Sequence, residues 1–140
     1  PAPLKFLVNP NSPTGDWYGR EQVERVVASA RGVIVLDEAY VDFAPEPRLD
    51  LLKGHDNLLV LRTMSKAYAL AARRIGFAFG HPDLLAALDT VKDSYNLDRL
   101  SIVAAKAAAE DRRHRDRMVS RDIADQEGIA SGRQALEHQG

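Results

Sequence analysis

The sequence predicts an α/β fold, because short apolar runs of strand length are interspersed with stretches of helical periodicity. A second observation points the same way: the central runs lack polar alternation, as expected of strands covered on both faces, and each stops abruptly at polar residues.

The elements follow in order. Leu4-Lys5-Phe6-Leu7-Val8 reads as a strand, and the run Asn9-Pro10-Asn11-Ser12-Pro13-Thr14-Gly15 after it reads as a loop, since prolines and small polar residues break regular structure. Val23, Val26, Val27 and Ala30 recur at helical spacing behind Gly19 as a cap, and Gly32 ends the pattern, giving an amphipathic helix that covers one sheet face. Val33-Ile34-Val35-Leu36 is a β-branched strand ending in Asp37-Glu38. Asn57 to Arg62 repeats the design and stops at Thr63, Ser65 and Lys66. Ile75 to Gly80 is a further strand, and Pro82 at a first-turn position opens a helix through Leu84, Leu85 and Leu88. From Asp98 the chain is alanine-rich and then charged, with Ile102, Val103, Ala107, Met118, Ile123 and Ala124 at loose helical intervals, so this half is expected to be helical.

Composition narrows the function. A chain of 140 residues, 45% hydrophobic, builds one core, and residues 1–140 are taken as one domain. A formal net charge of -1 gives no field for nucleic acid or an acidic membrane, and the arginines between Arg112 and Arg121 are interrupted by Asp116, which marks a solvated helix face. Small-molecule chemistry is the expectation, with no nucleic-acid or membrane partner. The absence of cysteine excludes disulfides and thiolate metal sites; no metal is expected, and the cytoplasm is the default compartment.

Ligands in open α/β sheets sit beyond the carboxyl ends of the strands. Three such ends carry polar groups here: the loop around Ser12, the segment Asp37-Glu38-Ala39-Tyr40, and Thr63-Met64-Ser65-Lys66. A lysine just past a buried strand is expected to be partly desolvated, which lowers its pKa toward nucleophilicity. Taken alone, such a lysine is more often a snorkelling surface residue.

Its surroundings change that balance. Ser65-Lys66-Ala67-Tyr68-Ala69-Leu70-Ala71-Ala72-Arg73-Arg74-Ile75-Gly76 resembles the lysine motif of fold-type-I aminotransferases. Asp37-Glu38-Ala39-Tyr40-Val41-Asp42-Phe43 is similar to a segment of the same enzymes, with a continuation typical of the histidinol-phosphate aminotransferase group, and Asn9 to Gly15 resembles their Asn-Pro-Thr-Gly loop. The likeness covers essentially the whole chain. It implies part of the large cofactor-binding domain, a mixed, mostly parallel sheet flanked by helices with a helical C-terminal half.

The resemblance also implies a cofactor, pyridoxal 5'-phosphate, and a role for each matching residue. Lys66 matches the lysine that holds the cofactor aldehyde and shuttles the substrate proton. Asp37 matches the carboxylate facing the pyridine nitrogen, although an aspartate after a strand is also a common turn cap. Tyr40 matches the tyrosine bonding the phenolic oxygen; its plainer reading is a packed loop aromatic. Arg74 matches the arginine gripping the phosphate, with Arg73 as its rival, and Thr63 and Ser65 match hydroxyls completing the phosphate cup, though either also suits a turn. Ser12 departs from the pattern, standing where the family has asparagine; a serine can donate the same bond only if the loop comes closer, or Asn11 compensates. A cis bond before Pro13 is expected on the same grounds.

By resemblance, the activity is amino-group transfer between histidinol phosphate and 2-oxoglutarate, in a parent enzyme that is a homodimer. The runners-up are another enzyme of this fold, such as threonine-phosphate decarboxylase, and a non-catalytic remnant. Complete members are far longer, and the chain stops at Glu137-His138-Gln139-Gly140, about where their small domain begins. We therefore expect residues 1–140 alone to be inactive, with two sheet edges open to association and marginal stability. The assignment requires Lys66 and Asp37 to converge on one pocket.

Overall fold

The computed structural model describes residues 2–137, with side chains through residue 126. The expectation placed on Glu137 to Gly140 therefore lies, apart from Glu137, outside the described residues. Four strands form one sheet in the order β1-β2-β3-β4: β1 (Leu4–Val8), β2 (Val33–Asp37), β3 (Leu58–Thr63) and β4 (Gly76–Gly80). The first three run parallel and β4 is antiparallel to β3, so the sheet is mixed and mostly parallel. Leu36 pairs with Leu7 and Val60, and Thr63 at the end of β3 pairs with Gly76 at the start of β4.

Helix α1 (Arg20–Ser29) connects β1 to β2 and lays Val23 and Val27, both fully buried, on Ile34, Leu36, Leu58 and Val60. Its N-terminus is closed by the Gln22 side chain, which accepts the Gly19 N–H at 3.0 Å. Alternation along a strand sends Val35, Asp37, Leu59 and Thr63 to the face opposite this core. At the turn into β2, a Cβ on Gly32 would overlap the backbone carbonyl of Pro3, the group that accepts the Val33 N–H at 2.9 Å, so only glycine admits β1 here.

The helical half consists of α2 (Pro82–Val91), α3 (Arg99–Glu110) and α4 (Arg112–Glu137). Pro82 occupies the first turn of α2, and Asp98 caps α3 by accepting the Ser101 N–H at 2.9 Å and its hydroxyl at 2.5 Å. Three short 3-10 turns, Val41–Phe43, Leu49–Lys53 and Ala71–Arg73, are additions to the sequence reading. They are too short to carry a hydrophobic period. Among the described residues, no helix is long and apolar enough to cross a membrane.

Candidate functional site

The carboxyl ends of β1, β2 and β3 lie side by side, so the three polar segments after them meet at one end of the sheet. The first loop is folded back by Asn9, whose amide is buried against the chain it closes: Nδ2 donates to the Tyr18 carbonyl at 3.0 Å and Oδ1 accepts the Tyr18 N–H at 2.7 Å. Within it the Asn9–Pro10 and Ser12–Pro13 peptides are both cis, the second as expected. Gly15, at φ 77°, completes the turn, which its N–H closes onto the Asn11 carbonyl at 2.8 Å.

The second segment is fastened by Glu38. Its carboxylate is fully buried; one oxygen accepts Arg62 Nε at 2.9 Å and Nη2 at 2.7 Å, and the other accepts the backbone N–H of Arg48 at 2.7 Å. The ends of β2 and β3 are thus clamped together, and the loop from Ala39 to Pro47 is closed around the clamp. Arg48 is itself buried, with its guanidinium 4.9 Å from the Trp17 ring centroid.

These loops and α4 enclose a cavity of about 500 Å³. Lys66, Ser65 and Tyr40 line its sheet side, Asn11, Ser12 and Trp17 come from the first loop, and Phe43 and Pro45 from the second. Lys66 Nζ lies 4.8 Å from the Tyr40 ring centroid. Hydrogen bonding from Lys66, and then from Ser12, holds the Tyr40 hydroxyl below the ordinary phenol pKa. Ser12 lines the cavity with Tyr40, whereas the Asn11 amide donates to the Thr14 hydroxyl at 2.7 Å.

The remaining expected residues stand at the same sheet end but do not line this cavity. Asp37 ends β2, where its Oδ1 accepts the Ala39 N–H at 2.9 Å, the turn-capping bond that the sequence also allowed. Thr63 bonds the Ser65 hydroxyl at 2.9 Å and also receives the Ser65 N–H at 3.1 Å. Arg74, left-handed at φ 53°, is exposed and donates to the Ala71 carbonyl at 2.9 Å. The expected desolvation of Lys66 is not found. Its side chain is exposed, because Met64 and Ala67, each 1% exposed, take the inward positions of that turn.

Sequence reasoning missed Trp17, Phe43 and the contribution of α4, which brings Asp122, Ile123 and Gln126 to the cavity wall. An aromatic residue inside the Pro/Asn loop was a signal for the first. The weak periodicity of α4 gave none for the last.

A sheet-end cavity built around a lysine and a tyrosine defines a class, and sequence comparison agrees: the description of aminotransferase class I and II matches residues 4–136. The chain belongs to that family. It is 50% identical over 108 residues to a histidinol-phosphate aminotransferase of Geobacter sp. (strain M21), an alignment covering 77% of this chain and 31% of that protein. A solved histidinol-phosphate aminotransferase from Sinorhizobium meliloti, in complex with pyridoxal-5'-phosphate, superimposes with a TM-score of 0.80 at 34% identity, over 84% of this chain and 33% of that one. An L-threonine-O-3-phosphate decarboxylase from Porphyromonas gingivalis superimposes with a TM-score of 0.68 at 30% identity, over 74% and 33%. The chain spans about a third of the length of the curated relatives it matches.

Proposed function

We propose that residues 1–140 form part of the cofactor-binding domain of a cytoplasmic, homodimeric, pyridoxal-phosphate-dependent aminotransferase acting on histidinol phosphate and 2-oxoglutarate. The observation that carries this reading is Lys66 and Tyr40 together in one cavity at the carboxyl ends of parallel strands.

The donor set fits the cofactor. A phosphorylated pyridine with an aldehyde and a phenolic oxygen calls for an amine, a phenol, a carboxylate and a group of phosphate donors. Lys66 and Tyr40 supply the first two within the cavity, Asp37 offers the third from the end of β2 without lining that cavity, and Thr63, Ser65 and Arg74 stand together at the junction of β3 and β4 for the fourth. When bound, pyridoxal phosphate supplies an electron sink for the substrate's α-carbon. Lys66 would hold the aldehyde and would carry a proton at Nζ. Tyr40 would bond the phenolic oxygen, with Ser12 beside it in the cavity lining. Asp37 would be the anionic partner for a protonated ring nitrogen and would have to present Oδ2 to it, since Oδ1 accepts the Ala39 N–H. Arg74 must turn from the Ala71 carbonyl to reach a phosphate, a single side-chain rotation for an exposed residue.

The test is direct. Pyridoxal phosphate added to the chain should give a visible absorbance band that Lys66→Ala abolishes; an identical band in the variant would sink the assignment. The isolated 140 residues are expected to bind but not turn over, and amine transfer from histidinol phosphate to bound cofactor by this chain alone would refute that. The likeness to the threonine-phosphate decarboxylase supports a second reading, separated by carbon dioxide release from threonine phosphate. A non-catalytic remnant would show neither band nor release.

A further inference from the structure

Between the two loops that face the cavity stands a buried cation. Arg48 is 1% exposed and directly follows the second loop, and its backbone N–H is already taken by Glu38 at 2.7 Å. The guanidinium is therefore free to act on its own, and it reaches both loops. Nη2 donates to the Tyr18 carbonyl of the first at 3.2 Å, and Nη1 donates to the Pro47 and Glu46 carbonyls of the second at 3.1 and 3.3 Å. The same group lies 4.9 Å from the centroid of the Trp17 ring, and Trp17 lines the cavity.

Stability alone does not account for this cation. A guanidinium taken out of water needs a full set of partners, and an apolar side chain of similar volume commonly replaces a buried ion pair at no loss. Arg48 lacks that set. Its ion pair is with Glu46 at 3.1 Å, a side chain that is 58% exposed, and among the described residues Arg48 Nε is the one buried side-chain nitrogen or oxygen without a hydrogen bond. What the side chain does secure is the cavity wall. Asn9 holds the backbone of Tyr18, whereas Arg48 is set against the Trp17 ring itself. We infer that Arg48 is a positioning residue which, acting through Trp17, holds the first loop's side of the cavity in the shape that receives the cofactor. The inference deepens the proposed function and rests on it for the identity of the ligand. A planar fork suits the task, since it bonds two loops and faces a ring at once, which an ammonium does not.

Trp17 is the only tryptophan of the chain, so its fluorescence reports on this wall without a label. Acrylamide quenching is measured in the wild-type chain, Arg48→Met and Arg48→Lys; the visible band formed with pyridoxal phosphate is titrated in these and in Trp17→Leu with and without Arg48→Met. Methionine keeps an unbranched side chain in the buried position, and the Tyr18 carbonyl keeps its bond from Asn9. In Arg48→Met, Trp17 should become more open to acrylamide, and pyridoxal phosphate should bind about tenfold more weakly. Arg48→Lys should restore part of both, because an ammonium retains the attraction to the ring without the fork. In the Trp17→Leu background, Arg48→Met should leave the affinity unchanged, an outcome that a merely stabilising arginine would not give. Wild-type quenching in folded Arg48→Met overturns the inference, as does a loss of affinity that persists undiminished without Trp17. If Arg48→Met shows no cooperative urea transition, Arg48→Lys carries the same comparisons. A wild-type chain with no visible band removes the cofactor reading, while the quenching series still decides whether Arg48 holds Trp17.

Discussion

Replacing Glu38 with alanine tests the clamp that positions the site. The substitution leaves the Arg48 backbone N–H without its acceptor in a residue only 1% exposed, which costs about 1–3 kcal/mol. Arg62 loses both bonds to Glu38, but its side chain is 24% exposed and water can resolvate it, so this loss is closer to the ~1 kcal/mol of a surface pair. The space vacated by the carboxylate arm adds about 1 kcal/mol. The total, about 3–5 kcal/mol, matches what removing one partner of a buried pair generally costs. Urea unfolding at constant m should show it as a midpoint lower by roughly 2–3 M. The double variant Glu38→Leu/Arg62→Met should recover the part due to the ion pair and retain the ~1–3 kcal/mol of the orphaned Arg48 N–H. A midpoint shift under about 0.5 M in Glu38→Ala, or strict additivity in the double variant, would refute the reasoning.

Three further outcomes follow from the geometry. Tyr40 should ionise below the ordinary phenol range, and both Lys66→Ala and Ser12→Ala should move it upward, read by near-ultraviolet difference spectra with Tyr40→Phe as the blank. Its folded pKa is depressed, so between the two pKa values the unfolded chain binds more protons, and Tyr40's contribution to stability grows as pH rises through that window. Gly32→Ala should destabilise the fold by about 1–3 kcal/mol in the same urea assay, because the Pro3 backbone that its Cβ meets cannot move without breaking the bond to Val33. Hydrogen bonds from the Ser101 hydroxyl and then its N–H lower the Asp98 pKa; this cap is present above the ordinary carboxylate value and is lost as pH falls through the depressed one, so α3 amides should lose hydrogen-exchange protection in acid, and in Asp98→Ala at neutral pH.

The strands were legible because each is a short, largely apolar run, and α1 because Val23 and Val27 mark one helix face. Even their ends were close: the polar residues after β2 and β3 stand where the sheet stops pairing. What a periodic reading cannot see is a contact between distant positions. Glu38 and Arg62 are 24 residues apart, and Trp17 meets Arg48 across 31, so neither pair leaves a local signature. The burial argument for Lys66 failed for a local reason. The turn after β3 has room for two inward side chains, and the apolar Met64 and Ala67 take them, leaving the amine outward.

Under the proposed function, that outward placement bears on how the lysine would be made reactive. Its amine is exposed, so in the proposed role it would depend on the groups that stand beside it. The neighbours present are a phenol with a depressed pKa and the hydroxyl of Ser12, in a cavity whose outer wall is α4. In that role, burial of the lysine would follow from filling the cavity, with cofactor and donor replacing water around Nζ, rather than being a property of the fold alone. Ser12 and Arg115 gain importance from this, one beside Tyr40 in the cavity lining and the other by pairing α4 with Asp42, in the turn that follows Tyr40, at 3.9 Å. The motifs marked Ser12 only as a departure from their pattern and Arg115 not at all, since motifs record the groups that touch a ligand and pass over those that keep them in place.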